Sequence, residues 1–336
     1  MVAELSGHTS PVSEVVFPLA GRRVWVAGHG GMVGSALVRR LAESDVELVT
    51  ASRGELDLRN SDATLRWVKD TAPDMIFIAA GRVGGIDANS RFPADFIADN
   101  LAINMSVISA AVRTDVPKLM VLGSSCIYPK HAAQPMRESS LLTGAIEPTN
   151  VWYAMAKISA IKLAEAYRIQ YGHDFISAMP TSLFGPNDNF DEGRGHVIPA
   201  LMSKARDAVA SGAESLEVWG SGTPLREFLH VDDCADALVH LAERYSDTET
   251  VNVGSGSEIS IRELAEKICT IAGFDGELRF DPSRPDGAPR KWVDSSRIRA
   301  MGWVPRVDFD GGLRDSYERF LTTSSGAPRG SGGRVG

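Results

Sequence analysis

Cysteine is scarce in this chain, with three residues in 336. So few thiols exclude a disulfide framework and fit a reducing compartment, which places the protein in the cytoplasm. No group of Cys and His residues has the spacing of a zinc site, so no metal is expected. Long apolar runs are missing too. Without ~18 consecutive apolar residues no membrane span is expected. The first twenty residues have neither the basic start nor the apolar middle of a signal peptide. Positive charge is not concentrated. The net charge is −8 and no Lys/Arg block stands out, which argues against nucleic acid as a partner. No internal repeat is present.

What is there alternates between strand-like and helix-like segments. The length and the 43% apolar content suit one large α/β domain with a lobe, or two domains. Residues 22–27, Arg-Arg-Val-Trp-Val-Ala, form a run expected as a buried strand. Gly28, Gly31 and Gly34 follow as Gly-x-x-Gly-x-x-Gly, and a helix-like run continues to residue 43. Glycines there permit a tight turn. They also let backbone N–H groups, those of Met32 and Val33 among them, approach a pyrophosphate at a helix N-terminus.

The next strand, 46–51, ends at Ser52-Arg53. An acidic residue at this point would bind the ribose 2′-hydroxyl of NAD. Arg53 suits the 2′-phosphate of NADP(H). Asp57 and Leu58 fall where the adenine would lie. A third strand, 75–81, ends in Ala79-Ala80-Gly81, small enough for a dinucleotide to lie against the backbone.

A fourth strand leads into Gly-Ser-Ser-Cys-Ile-Tyr-Pro at 123–129, and a helix over 150–171 carries Tyr153 and Lys157. A hydride that reaches a carbonyl carbon leaves negative charge on oxygen. A tyrosine hydroxyl can donate the neutralising proton. A lysine at i+4 shares its helix face and favours the phenolate. Ser124 or Ser125 can hold the carbonyl oxygen. Tyr-x-x-x-Lys alone is a common chance match; its place in the strand–helix order gives it weight. Cys126 reads either as a small buried filler or as an acid/base group, while Cys234 and Cys269 lie in apolar helical runs as packing residues.

Beyond residue 180 the chain becomes rich in loops. His196 opens a helix, and Arg226, Arg290 and Lys291 are candidates for gripping a phosphate; each also reads as an ordinary surface cation. The expected organisation is a flexible extension over 1–20 and a dinucleotide-binding domain over 21–180 and 228–255. A smaller α/β lobe for substrate spans 181–227 and 256–322, and a tail spans 323–336. The expected fold is therefore α/β: a Rossmann-like doubly wound parallel sheet with a smaller lobe.

From about residue 23 to 321 the chain resembles the GDP-L-fucose synthase family, epimerase-reductases of the extended short-chain dehydrogenase/reductase group. The likeness rests on Gly31-Met32-Val33-Gly34-Ser35-Ala36, on 123–130, on Glu147-Pro148-Thr149-Asn150, and on 196–201, 219–233 and 284–291. The resemblance implies GDP-4-keto-6-deoxymannose as substrate and NADPH as reductant. It implies that Cys126 and His196 move protons at C3 and C5 while Tyr153, with Ser124 or Ser125 or both, steadies the enolate oxygen at C4. Tyr153 then protonates that oxygen during reduction, and Lys157 also holds the nicotinamide ribose. The resemblance further implies Pro180 at the cofactor, and Lys204, Trp219 and Arg226 at the nucleotide. Related enzymes pair two long helices across a twofold axis, so a homodimer is expected. Several positions depart from the family pattern, Lys204 among them, where the family often has an arginine. Gly30 stands where bacterial relatives often carry an arginine, Ser182 replaces a common asparagine, and Val151-Trp152 replaces an acidic-proline pair. With Gly30 in place, NADP preference rests more heavily on Arg53.

Overall fold

The computed structural model describes residues 14–190, 196–284 and 286–326. Five apolar segments form strands β1 (Arg22–Ala27), β2 (Val46–Val49), β3 (Met75–Ile78), β4 (Lys118–Leu122) and β5 (Asp174–Pro180). The chain then leaves this sheet through β6 (Ser182–Phe184), β7 (Ser215–Trp219) and β8 (Leu225–His230), and returns with β9 (Val251–Val253). Strand order in the six-stranded sheet is β2-β1-β3-β4-β5-β9, and every pairing is parallel. The order reverses between β1 and β3. A crevice at such a switch point, outside the carboxyl ends of the strands, is where open α/β sheets bind ligands.

The inner stretches of the strands are apolar because both faces are covered. Val24, Val26, Met75 and Phe77 face one core; Trp25, Ala27, Ile76 and Ile78 face the other. The helices Met32–Ala42 and Val231–Arg244 pack on the first face, and Ser61–Thr71, Pro93–Arg113 and Val151–Tyr171 on the second. Cys234 sits in the first core and Cys269 in the smaller lobe, both as packing residues. Pro93–Arg113 is the one described helix long and apolar enough to cross a membrane, and its Phe96, Val107, Ile108 and Ala111 are core.

The lobe is built from β6, β8, β10 (Glu258–Ser260), β11 (Glu277–Asp281) and β12 (Arg290–Lys291), with β7. β8 pairs with β6, β10 and β12, and β11 pairs with β7. A third core, including Phe184, Leu201, Phe228 and Leu264, holds it together.

Two expected boundaries shift. Residues 1–13 of the expected extension lie outside the described residues, but Phe17 and Leu19 are buried in the first core. The backbone N–H groups of Val16 and Phe17 donate to the Glu243 carbonyl. A short apolar run broken by Pro18 gives a weak strand or helix signal, yet two side chains suffice to dock the segment. The last helix, Phe309–Gly326, runs four residues into the expected tail; 327–336 lie outside the described residues.

Candidate active site

The glycine turn sits at the carboxyl end of β1. Gly28 has φ +93°, and a Cβ there would meet the Ala80 backbone nitrogen at 2.5 Å. A Cβ on Gly34 would meet the Gly28 carbonyl oxygen at 2.0 Å. These two glycines close the turn against β3 and pack the helix onto it. Gly31 differs: its Cβ would meet nothing nearer than 3.6 Å, so what its absent side chain admits is a ligand from outside. Gly31 is also the N-cap of Met32–Ala42 and offers no side-chain acceptor. The first N–H groups of that helix, those of Met32 and Val33, are thus left for an anion. The fit to a dinucleotide pyrophosphate is direct.

At the end of β2, Arg53 is exposed, and no hydrogen bond or ion pair among the described residues holds it. It is available to a phosphate. Asp57 is not free: Arg59 grips it through Nε and Nη2 at 2.7–3.2 Å and also reaches Asp99 at 3.1 Å. Those bonds hold the Asp57 carboxyl well down, at about 2. An adenine amino group would have to share this carboxylate with Arg59.

The chemistry-bearing residues meet above β4. Gly123 N–H donates to the Ala178 carbonyl, and a short turn, Ser125–Ile127, follows with Ser124 as its N-cap. The Cys126 thiol donates to Ser124 Oγ at 3.2 Å. Tyr153 and Lys157 project from the first turns of Val151–Tyr171 toward this loop. Lys157 is buried, and its ammonium donates to the Leu122 carbonyl at 2.8 Å. Burial pulls that lysine down to about 8, against the opposing attraction of Cys126.

One expectation is corrected here. Lys157 was expected to lower the tyrosine, but its Nζ stands 5.8 Å from the Tyr153 ring centre and its bond goes to the backbone. Burial instead pushes the Tyr153 phenol up, and negative charge on Cys126 adds to that. Desolvation of the phenolate outweighs a cation at this distance.

His196 is the N-cap of Val197–Ser211 but makes no side-chain cap bond, so its imidazole is exposed and uncommitted to the helix. Asp188 is a residue that sequence reasoning passed over. Its Oδ2 is buried without a partner, burial raises its carboxyl, and His196 pulls it back. No spacing rule links 188 to 196; only the fold brings their charges together.

The lobe supplies a second cluster. Arg226 on β8 is in register with Lys291 on β12, and its guanidinium donates to the Asp286 carbonyl at 3.3 Å. Burial lowers Arg226 and Asp286 offsets part of that. Trp219, 58% exposed at the end of β7, has Lys204 Nζ 5.2 Å and Arg284 Cζ 4.9 Å from its ring centre. Arg284 was likewise passed over, since a cation on an aromatic face leaves no trace in sequence spacing. Asp286 accepts from the backbone N–H and the hydroxyl of Ser221 at 2.7 and 2.8 Å. Arg290 is not available with the others. It is committed to Glu258 by bonds of 2.5 and 2.7 Å, because neighbours on a strand point to opposite faces and Lys291 takes the side toward Arg226.

A glycine turn at the switch point, with serines after β4 facing a Tyr-x-x-x-Lys pair on the helix Val151–Tyr171, defines a nicotinamide-dependent short-chain oxidoreductase that binds NADP(H). Residues 24–254 match the NAD dependent epimerase/dehydratase family, and the chain belongs to that family. It is 53% identical to the GDP-L-fucose synthase of Sinorhizobium fredii over 307 residues, 91% of this chain and 98% of the relative. It is 48% identical to the GDP-L-fucose synthase of Escherichia coli, over 90% of this chain and 98% of that one. Among solved structures, a GDP-L-fucose synthetase from Naegleria fowleri bound to NADP superposes with a TM-score of 0.85 at 27% identity. That match covers 93% of this chain and 98% of the other.

Proposed function

We propose that the chain is a GDP-L-fucose synthase, converting GDP-4-keto-6-deoxymannose to GDP-L-fucose by 3,5-epimerisation and NADPH-dependent 4-reduction. The observation that carries this is the thiol of Cys126 on the serine turn beside Tyr153. A simple ketoreductase needs the serine, the tyrosine and the lysine; it has no use for a thiol at the reacting sugar.

The 4-ketone acidifies the protons on C3 and C5. Cys126 and His196 act as the acid/base pair, one taking a proton from carbon and the other returning one on the opposite face. Charge that builds on the C4 oxygen is steadied by Tyr153 and by Ser124 or Ser125. A dinucleotide held there would supply hydride to C4, with Tyr153 as the donor of the proton to the oxygen. Lys157, anchored on the Leu122 carbonyl, would hold the nicotinamide ribose. Gly28, Gly31, Met32, Val33 and Gly34 carry the pyrophosphate, Arg53 the 2′-phosphate, Asp57 and Leu58 the adenine. Ala80 and Pro180 line the cofactor at the ends of β3 and β5. Arg226, Lys204, Trp219 and Lys291 receive the GDP.

The division into a dinucleotide part and a nucleotide-sugar lobe follows the two sets of cores. A homodimer is supported by the outer faces of two long helices. Trp152, Met155 and Ile169 are exposed along Val151–Tyr171, and Met105 along Pro93–Arg113. Free thiols throughout suit the cytoplasm. Incubation of purified protein with GDP-4-keto-6-deoxymannose and NADPH, with identification of the sugar product, tests the function. GDP-L-fucose is expected. A 6-deoxyhexose with C3 and C5 unchanged would reduce the enzyme to a 4-ketoreductase.

A further inference from the structure

Arg226 and Cys126 lie on separate elements, one in the lobe and one above the large sheet, yet the reaction needs a fixed distance between them. The nucleotide diphosphate is held at one end and the sugar carbons are deprotonated at the other. A run of largely buried hydrogen bonds, linked by short stretches of backbone, joins the two. Beside Arg226 on β8, the side chain of Glu227 points the other way, into the interior, and is fully buried. Its Oε1 accepts the Gly256 N–H at 2.7 Å and its Oε2 the Val293 N–H at 3.1 Å. A Cβ on Gly254 would sit 2.5 Å from this carboxylate, so the end of β9 is shaped to admit it.

One residue beyond Val293, the Asp294 carbonyl accepts from Asn252 Nδ2 at 3.2 Å, and the Met136 carbonyl accepts from the same nitrogen at 2.9 Å. Asn252 is fully buried on β9. Its Oδ1 accepts the Tyr128 hydroxyl at 2.6 Å. Tyr128 is itself buried, two residues after Cys126, with the wholly buried Ile127 between them. Every polar atom of the Asn252 side chain is engaged, so its amide can take only one orientation. The bonds from Tyr128 to Asn252, from Asn252 to the Met136 carbonyl and from Val293 to Glu227 are buried, so breaking one of these leaves an unsatisfied group rather than a hydrated one.

We infer that Glu227, Asn252 and Tyr128 form a buried strut that sets the distance from the diphosphate grip at Arg226 to the thiol at Cys126, and so act as positioning residues for epimerisation. The inference rests on the roles given above to Arg226 and Cys126. Loosening the strut lets the thiol drift relative to C3 and C5. It disturbs the C4 step less, even though Ser124 shares the turn, since the proton donor Tyr153 and Lys157 are held by another helix and by the Leu122 carbonyl. Misplacement of a reacting group by about an ångström costs on the order of 100-fold.

Tyr128→Phe tests this, because it keeps the ring in the core and deletes only the hydroxyl; Glu227→Gln, of the same shape, tests the other end. Two rates are read on each variant. Deuterium uptake at C3 and C5 of GDP-4-keto-6-deoxymannose reports the thiol. Oxidation of GDP-L-fucose by NADP+ reports the C4 step without prior epimerisation. In either variant that folds, uptake is expected to fall about 10- to 100-fold while oxidation stays within about threefold of wild type. Uptake at the wild-type rate, or an equal fall in both rates, would overturn the strut. A wild type that takes up no deuterium but still reduces the ketone would instead overturn the epimerase reading, and the strut with it.

Discussion

The thiol of Cys126 donates to the hydroxyl of Ser124 at 3.2 Å, so the candidate proton carrier and the candidate oxyanion ligand occupy one short turn. A single loop can therefore serve both carbon deprotonation and stabilisation of the oxygen. The two roles separate by substitution. Cys126→Ala should lower deuterium uptake at C3 and C5 by ~10²–10⁴-fold. It should leave the affinity for NADPH unchanged, since the pyrophosphate turn and the β2 end lie elsewhere. Tyr153→Phe should abolish reduction. Wild-type uptake by Cys126→Ala would remove the thiol from the mechanism and assign the proton transfer to another group.

Lys157 gives a pH signature of two opposite signs. Burial pulls it down to about 8, from an ordinary lysine value near 10.5 in the unfolded chain. The cation is present below about 8 and lost above it, so log kcat/KM for reduction should fall as pH rises through about 8. Between about 8 and 10.5 the unfolded chain binds more protons than the folded one, so this residue makes stability rise with pH in the same window. Lys157→Met should remove both trends. A reduction profile flat from pH 7 to 10 in the wild type would contradict a role for the cation.

Much of this site was legible in the sequence because its parts are local. Gly28, Gly31 and Gly34 announce a turn, and Tyr153 and Lys157 announce a helix face, because each pair of groups lies within a few residues. Whatever depends on strand pairing was not legible. Arg290 and Lys291 look equivalent in sequence; only β12 beside β8 shows that Arg290 is taken by Glu258. Asn252 carries no signal at all until β9, the Tyr128 loop and residue 294 converge on it. The fold class survived because buried parallel strands read as apolar runs, and the docking of Phe17 and Leu19 was missed because two residues make no period.

Lys118 is a buried cation with a structural task. Its Nζ donates to Asp174 Oδ2 and to the Tyr245 carbonyl, each at 2.7 Å, with no side-chain surface exposed. Burial lowers the lysine and Asp174 restrains that shift. Asp174→Ala would leave the ammonium buried without its carboxylate. Such breakage costs about 3–5 kcal/mol, to be read from urea unfolding. A loss under about 1 kcal/mol would mean that water reaches the site.

Arg53 is the free cation at the end of β2, and Gly30 contributes none. Arg53→Ala should weaken NADPH far more than NADH. A charge-assisted bond to phosphate is worth about 1.5–3 kcal/mol, or roughly ten- to a hundredfold in Kd. Equal losses for both cofactors would show that the 2′-phosphate is held by other groups.

The exposed apolar stripe of Val151–Tyr171 is what the proposed dimer rests on. Trp152, Met155 and Ile169 lie on its solvent side, while Ala154, Ile158 and Ile161 face the core. On the adjoining helix Pro93–Arg113, which is long and apolar enough to cross a membrane, Met105 is 51% exposed. A twofold axis running between these helices would cover both stripes with identical ones, burying them in an isologous interface. Specific interfaces cover at least ~1,000 Å² in total, an area that two pairs of 21-residue helices can supply. Placing like charges opposite each other at the centre should split such a dimer, so Met155→Glu combined with Met105→Glu should yield a monomer by light scattering at micromolar concentration. Neither side chain belongs to the core, so unfolding in urea measured on the monomer should remain cooperative. A wild type that is already monomeric at that concentration, or a double variant that keeps the dimer mass, would rule this interface out.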